Sequence, residues 1–205
     1  MNMHKIPDII ISRLPIYLRA LQRMKEKGVQ TISSKELGEY VGISDAQIRK
    51  DISQFGEFGK QGTGYNIPYL IEKLCQILKV DRIWDVAIVG MGDMGHALAR
   101  YQGFADRGFR VVMVFDNDPK KIGQQVGNFI IEDSANLIAK ISAAGIKVVM
   151  LTVPAPAAQE VAEQLVQGGV KAILNYAPTS LNVPDDVLVQ HIDPVVHLQR
   201  MTFYL

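Results

Sequence analysis

The chain has 205 residues, 48% of them hydrophobic, with 22 basic and 21 acidic side chains and a formal net charge of +1. That length and composition allow one or two domains with real cores. One cysteine, Cys75, excludes an intrachain disulfide framework. The lack of any apolar run near roughly 18 residues or of a signal-peptide core makes a cytoplasmic protein with no membrane partner the expectation.

The overall balance hides an asymmetry, because residues 1–80 carry 12 Lys and Arg against 8 Asp and Glu, whereas residues 81–205 carry 10 against 13. The basic excess sits in the first part. There Ile9, Ile10, Leu14, Tyr17, Leu18 and Leu21 recur at three and four, predicting one helix that ends near Gly28. Arg13, Arg19 and Arg23 on it read as surface charges. The segment TISSKELGEYVGISDAQIRKDISQF then shows two capping boxes, Ser33 with Glu36 and Ser44 with Gln47, and two short helices meeting at Gly42. Such a pair is the pattern of a helix-turn-helix.

In the second of these helices Ile48 and Ile52 face inward. Gln47, Arg49, Lys50 and Gln54 are left for groove and phosphate, with Gln47 and Lys50 as base readers and Arg49 as a phosphate clamp, and Ser44 at the helix start joins the DNA-binding set. The run from Gly56 to Ile67 holds four glycines and Lys60, which suits a hairpin wing whose Lys60 and Gly62 approach a phosphate chain. A helix, IPYLIEKLCQILKV, closes this part; Leu74, Ile77 and Leu78 around Cys75 suggest a buried face and a structural thiol. A linker follows near Asp81 to Trp84.

Next comes a complete βαβ unit. A strand at Val86 to Val89 enters Gly90-x-Gly92-x-x-Gly95, a helix follows, and a strand from Val111 to Phe115 ends at Asp116. Gly90 allows the tight turn, Gly92 lets backbone approach a pyrophosphate, and Gly95 lets helix pack close to strand, with Asp93 and Met94 in the same loop. Asp116 stands 21 residues after Gly95, where a carboxylate accepts from a ribose hydroxyl and repels a 2′-phosphate, favouring NADH and NAD+ over the phosphorylated cofactor. Lys120 and Lys121 temper that choice but read as a solvated helix start.

Further βα alternation predicts a parallel sheet, with strands at 129–131, 148–153, 172–174 and 187–192 and a helix over 157–167. Thr152, Val153 and Pro154, like Asn175 and Tyr176, then stand at strand carboxyl ends, facing the crevice where ligands lie in open α/β sheets. A last helix over 195–205 carries Val195, Leu198, Met201, Tyr204 and Leu205, too apolar for a free end, which points to a second subunit. An NAD-dependent dehydrogenase is the rival reading. Hydride transfer needs a positioned acid or base, and among His4, His96, His191 and His197 none forms an evident catalytic or metal-ligand cluster. A regulator with a decayed nucleotide fold is set against the intact glycines and Asp116.

The segments SDAQIRKDISQFGEFGKQGTGYNI, VGMGDMGHALARYQGF, FDNDPKKIG, LNYAPTSLNVPDDV and HIDPVVHLQRM, in this order, resemble the Rex family of redox-sensing transcriptional repressors over nearly the whole chain. The resemblance implies an α/β protein with a winged-helix DNA-binding domain (1–80), a parallel, doubly wound Rossmann domain for NAD(H) (85–193) and a swapped C-terminal dimer helix (194–205). It implies a homodimer on the inverted-repeat operator of double-stranded DNA, released when NADH binds, with no catalytic residue and no metal. It also singles out Arg19, Tyr101 and Asp193 as a switch, Asp193 pairing with Arg19 in one state and with Tyr101 when NADH is bound. Tyr101 and Asp193 thereby join the cofactor site. Three positions depart from the family pattern: Asp93 puts an acid by the phosphates, Pro194 replaces an aromatic wall, and Gln61 stands where a base is usual, leaving more to Lys60 and Lys50.

Overall fold

The computed structural model describes residues 6–60 and 64–205, apart from the side chain of Lys60. Gln61 and Gly62, expected in the wing, lie outside the described residues. The chain divides into two units, Met1–Arg82 and Ile83–Leu205.

The first unit opens with α1 (Asp8–Ile11) and α2 (Leu14–Glu26) rather than the single predicted helix. Pro15 is the physical reason. It stands in the first turn of α2, has no N–H, and its ring would clash with the carbonyl of Ile11, where α1 stops. The break turns Ile9 out to solvent, while Ile10, Leu14, Tyr17, Leu18 and Leu21 are buried.

β1 (Thr31–Ile32) leads to α3 (Ser34–Val41) and α4 (Asp45–Ser53). Ser33 starts α3 with a full capping box, its hydroxyl accepting from the Glu36 N–H while the Glu36 carboxylate accepts from the Ser33 N–H, an arrangement that contributes about 1 kcal/mol. The second predicted box is half formed. Ser44 accepts from the Gln47 N–H at 3.3 Å, but the Gln47 side chain turns to Asp51. Between the helices Gly42 takes φ +71, a left-handed residue that ends α3 and permits the brief turn.

β2 (Gly59–Lys60) and β3 (Gly64–Asn66) form the wing hairpin, and β3 pairs with β1 on its other side, all antiparallel. α5 (Ile67–Leu78), capped by Asn66, completes a core of Leu14, Leu21, Leu37, Ile48, Ile67 and Leu70. This is a winged helix. Cys75 is half-buried on α5, and burial pushes its thiol up, consistent with a structural role.

The second unit runs β4 (Trp84–Val89), α6 (Asp93–Arg100), a 3-10 turn (Gln102–Arg107), β5 (Phe109–Asp116), β6 (Gln125–Val126), β7 (Phe129–Ile130) and β8 (Glu132–Asp133). It continues with α7 (Leu137–Ala144), β9 (Val148–Leu151), α8 (Ala155–Gln167), β10 (Ala172–Asn175), β11 (Leu188–His191) and α9 (Pro194–Thr202). Six parallel strands lie in the order β11-β10-β9-β4-β5-β8. The chain moves outward from β4 to β8 and then returns to lay β9 on the other side of β4. This is the Rossmann order, and its reversal opens a crevice at the carboxyl ends of β4 and β9.

Alternation along β4 feeds two cores: Ala87 and Val89 face Ile141, Ala162 and Leu165, whereas Val86 and Ile88 face Ala99, Val126 and Ile131. The strand predicted over 129–131 is not part of this sheet. β6 and β7 instead pair antiparallel as a separate hairpin around Gly127-Asn128, with Gly127 at φ +58, and the sheet's edge is β8. The last helix starts at Pro194 and ends at Thr202, short of the predicted Leu205. Its Val195, Leu198 and Met201 are exposed, as are Tyr204 and Leu205 beyond it.

Candidate functional site

The crevice is built where β4 gives way to α6. Gly90 takes φ +100, and its N–H donates to the Phe115 carbonyl at 2.8 Å. A β-carbon on Gly90 would stand 2.8 Å from the backbone of Thr152, so glycine is required there for close approach. Thr152 binds back through its own N–H, which donates to Val89 O at 2.8 Å, and its hydroxyl, 2.6 Å from Gly90 O. A β-carbon on Gly95 would meet Gly90 O at 2.0 Å, which is why α6 lies so near the strand end. Gly92 differs, because a β-carbon there would meet nothing within 4 Å.

Gly92 is also the N-cap of α6 and offers no side-chain acceptor, leaving the first amides of the helix and its positive dipole end toward that space. A pyrophosphate fits such a cradle. Asp93 stands exposed in the first turn and Met94 is exposed beside it. On the same helix the Nε2 of His96 is buried and, among the described residues, unpartnered.

Asp116 ends β5, only 6% exposed, with its carboxylate turned inward. It accepts from the Met91 N–H at 2.7 Å, the Asp118 N–H at 2.8 Å and the Lys121 ammonium at 3.1 Å. Burial alone would raise this carboxyl; the two backbone donors and Lys121 outweigh it and hold the group below the ordinary carboxylate range. Lys121 was expected to be a solvated charge and instead lies in a turn, paired with Asp116, because the buried carboxylate needs a counterion; Lys120 is exposed.

The remaining predicted crevice residues take separate roles. Val153 is half-buried and Pro154 caps α8. Asn175 is fully buried and braces its own loop, donating to Thr179 O at 2.8 Å and accepting from the Ala177 N–H at 3.0 Å, with its amide nitrogen 3.2 Å from His191 Nδ1. Tyr101 ends α6, half-exposed, edge-on to Phe104, and its hydroxyl accepts from Arg107 at 3.0 Å. Asp193 caps α9, accepting from the Val195 N–H at 2.9 Å, and Pro194 begins that helix. Beside Tyr101 an apolar groove of about 530 Å³ runs over β4, β9, β10 and β11, lined by Val86, Phe104, Met150, Leu174 and Leu188.

In the first unit, α4 presents Ser44, Arg49 and Lys50 to solvent. Arg49 donates to Asp45 at 2.7 Å and to the Ser34 hydroxyl at 2.9 Å, and Lys50 is exposed. Arg19 is exposed on α2. Gln47 is half-buried and donates to Asp51 at 2.6 Å, so it is not the free side chain that the helical pattern predicts. Lys60 lies in β2. A groove of about 1030 Å³ separates α4 from the wing, with Arg49, Ser53, Gly56 and Phe58 among its walls.

The residue missed by sequence reasoning is Asp51. It is fully buried on the inner side of α4 and accepts from Arg13 Nε at 2.6 Å and Nη2 at 2.8 Å, from Tyr17 Oη at 2.7 Å and from Gln47. Burial would raise the Asp51 carboxyl, but these donors hold it below its ordinary value; burial and the Asp51 bond push the Tyr17 phenol up. Arg13 is therefore a structural cation rather than a surface charge. The only signal in the chain was an acid at a position whose helical phase, between Ile48 and Ile52, faces inward.

Comparison with known proteins covers the whole chain. Residues 5–53 match a family described as "Putative DNA-binding protein N-terminus", and residues 81–179 match the "CoA binding domain" family. The chain is 49% identical to the redox-sensing transcriptional repressor Rex of Chloroflexus aggregans, over 97% of this chain and 94% of that one. It is 47% identical to that of Roseiflexus sp. strain RS-1, over 100% and 93%. Among solved structures, RSP in complex with β-NAD+ and operator DNA is 35% identical with a TM-score of 0.93, covering 97% of this chain and 92% of that one. RSP in complex with β-NADH is 33% identical with a TM-score of 0.89, covering 98% and 94%.

Proposed function

The chain belongs to the Rex family of redox-sensing transcriptional repressors, and from that premise we propose how its own residues sense the NADH to NAD+ ratio and pass the result to an operator. The relatives that it matches over more than nine-tenths of their length are named as repressors, so the Rossmann unit serves regulation rather than dehydrogenation. The observation that carries the cofactor reading is the open space at Gly92, where a β-carbon meets nothing while Gly90 and Gly95 are closed in. That shape admits a pyrophosphate at the start of α6. Asp116 holds the loop through Met91, and Lys121 supplies a counterion beside the ribose position.

The bound nicotinamide supplies the redox signal, since its two forms differ by a hydride and one positive charge, and a desolvated pocket discriminates against the cation. Thr152, Val153 and Pro154 line the crevice at the reversal of strand order. The first unit reads DNA through α4 and the wing. Two copies are needed for an inverted repeat, and the exposed apolar residues of α9 and the groove beside Tyr101 support a homodimer closed by an exchanged helix. Recognition helices must stand about 34 Å apart to enter successive major grooves, so a change of dimer geometry on NADH binding releases operator without touching it. NADH acts only through its differential affinity for the two arrangements. A DNA partner fits a cytoplasmic location, and among the described residues no helix is long and apolar enough to cross a membrane.

A gel-shift titration on an inverted-repeat operator tests this reading. Bound duplex should persist with NAD+ and be lost as NADH is raised. A complex equally stable in both, or none in either, overturns it.

A further inference from the structure

Buried carboxylates in small domains are usually read as structural, but the Asp51 cluster also touches a residue in the first turn of the DNA-reading helix. Ionised Asp51 can only accept, and it offers about four lone-pair positions. All four are used: Oδ2 takes Arg13 Nε at 2.6 Å and Tyr17 Oη at 2.7 Å, and Oδ1 takes Arg13 Nη2 at 2.8 Å and Gln47 Nε2 at 2.6 Å. The bidentate Arg13 fork keeps the carboxylate charged and fixes its plane. Gln47 and Asp51 are one helical turn apart, the spacing at which Gln and Asp side chains meet.

The orientation of the Gln47 amide follows from chemistry. A carboxylate that cannot donate must face the NH2 end, so the carbonyl oxygen Oε1 is the end turned away. Among the described residues nothing donates to that oxygen. A free glutamine presents donor or acceptor equally well, by rotating its amide through half a turn. Gln47 cannot, because the rotation would set its oxygen against the ionised, buried Asp51 carboxylate, which has no proton to donate.

We propose that Asp51 is a specificity-positioning residue: it sets the hydrogen-bond polarity of Gln47 so that α4 offers an acceptor to DNA, which reads an exocyclic amino group in the major groove. This rests on the DNA-reading role of α4 proposed above. Adenine N6 and cytosine N4 both present that donor, whereas guanine O6 and thymine O4 present acceptors. The N-terminal residues of a recognition helix are the ones that reach base edges, and Gln47 is the third residue of α4.

The test uses the full-length protein and a duplex selected by it from a random double-stranded library. Each adenine or cytosine of a half-site is replaced in turn by its amino-free analogue, purine or pyrimidin-2-one, and separately by a base pair that places an acceptor there. One position should stand out, where removing the amino group weakens wild-type binding by roughly 5- to 150-fold. The analogue that reveals it identifies the base as adenine or cytosine. Acceptor replacement should be rejected at least as strongly. Gln47→Ala should lose sensitivity at that position alone. Asp51→Asn, folded by circular dichroism and binding NADH as wild type does, should tolerate the acceptor replacement while keeping its preferences elsewhere, which a merely structural role would not produce.

Three outcomes overturn the proposal: a wild-type protein indifferent to every amino deletion, a Gln47→Ala protein as sensitive as wild type, or a folded Asp51→Asn protein with an unchanged profile. Should Asp51→Asn not fold, the wild-type response decides, because a freely turning amide accepts either polarity and a held one does not. A wild-type protein that enriches no sequence from the library would sink the DNA-reading role itself.

Discussion

The Met91 N–H donates to the Asp116 carboxylate at 2.7 Å, joining the glycine loop to the end of the neighbouring strand across 25 residues of chain. The acid expected to read a ribose is thus also the brace of the phosphate turn, and that dual use shapes what its removal should do.

Asp116→Ala strips a charge-assisted acceptor from the buried Met91 N–H and the part-buried Asp118 N–H and leaves Lys121 unpaired. The loss should be about 1.5 to 3 kcal/mol in stability, together with weaker NADH binding and a relative gain for NADPH. Asp116→Asn should recover part of the stability without restoring the exclusion of a 2′-phosphate. Calorimetric titration with both cofactors reads this out; an unchanged NADH to NADPH affinity ratio in the alanine variant would remove Asp116 from cofactor choice.

The three loop glycines should separate into two kinds. At Gly95 a methyl group collides with Gly90 O at 2.0 Å, so Gly95→Ala should lower the melting temperature by several degrees, as about 1 to 3 kcal/mol of overpacking does. Gly92→Ala meets open space, so the melt should stay near wild type while NADH affinity falls by an order of magnitude or more. Intact NADH binding by Gly92→Ala would place the phosphates elsewhere.

On α4, Lys50→Ala should weaken operator binding by about 1 to 3 kcal/mol and flatten the salt dependence, with NADH binding unaffected. Arg49→Ala should have a smaller effect, since Arg49 must first leave Asp45 and Ser34 to reach DNA. A gel shift at two salt concentrations distinguishes them, and wild-type affinity in both variants would show that another face meets the groove.

Asp193→Asn keeps the cap on α9, because asparagine is as good a cap as aspartate, but removes the charge. If Asp193 exchanges between Arg19 and Tyr101, the variant should fold, dimerise and bind NADH while its operator affinity responds to NADH far less. Linkage requires that operator then lose its effect on NADH by the same factor. A wild-type NADH response in the gel shift would leave α9 as the lever.

Stability should depend on pH through the Asp51 cluster. The Asp51 carboxyl is depressed against the opposing effect of its burial, so its contribution is complete above the unfolded value of about 4 and is lost as pH falls through the lower folded value. Tyr17 is raised, first by burial and then by Asp51, so its share is complete below about pH 10 and is lost only above that. Thermal melts should be level between these limits as far as this pair is concerned. Asp51→Asn should soften the acid limb without abolishing it, because Asp116 is depressed too; an acid limb identical to wild type would contradict the assignment.

Much of the site is local and was legible in the chain. Gly90, Gly92, Gly95 and Asp116 declare a βαβ turn because each glycine answers a constraint set within a few residues, and Ser33 with Glu36 or Gly42 declare helix ends for the same reason. The Gly127-Asn128 hairpin and the Pro15 break are also local signals, the first masked by the βα alternation of the second unit and the second by the three-and-four spacing of apolar residues from Ile9 to Leu21.

What only the tertiary structure decided is which partners the polar side chains take. Asp51 finds Arg13 across 38 residues, Asp116 finds Met91 across 25, and Thr152 meets Gly90 across 62. No periodicity encodes those pairings. They arise because a buried carboxylate or hydroxyl must satisfy its hydrogen bonds with whatever donors and acceptors the packed elements bring near. That requirement turned Gln47 from a free reader into a held one and Lys121 from a solvated charge into a counterion.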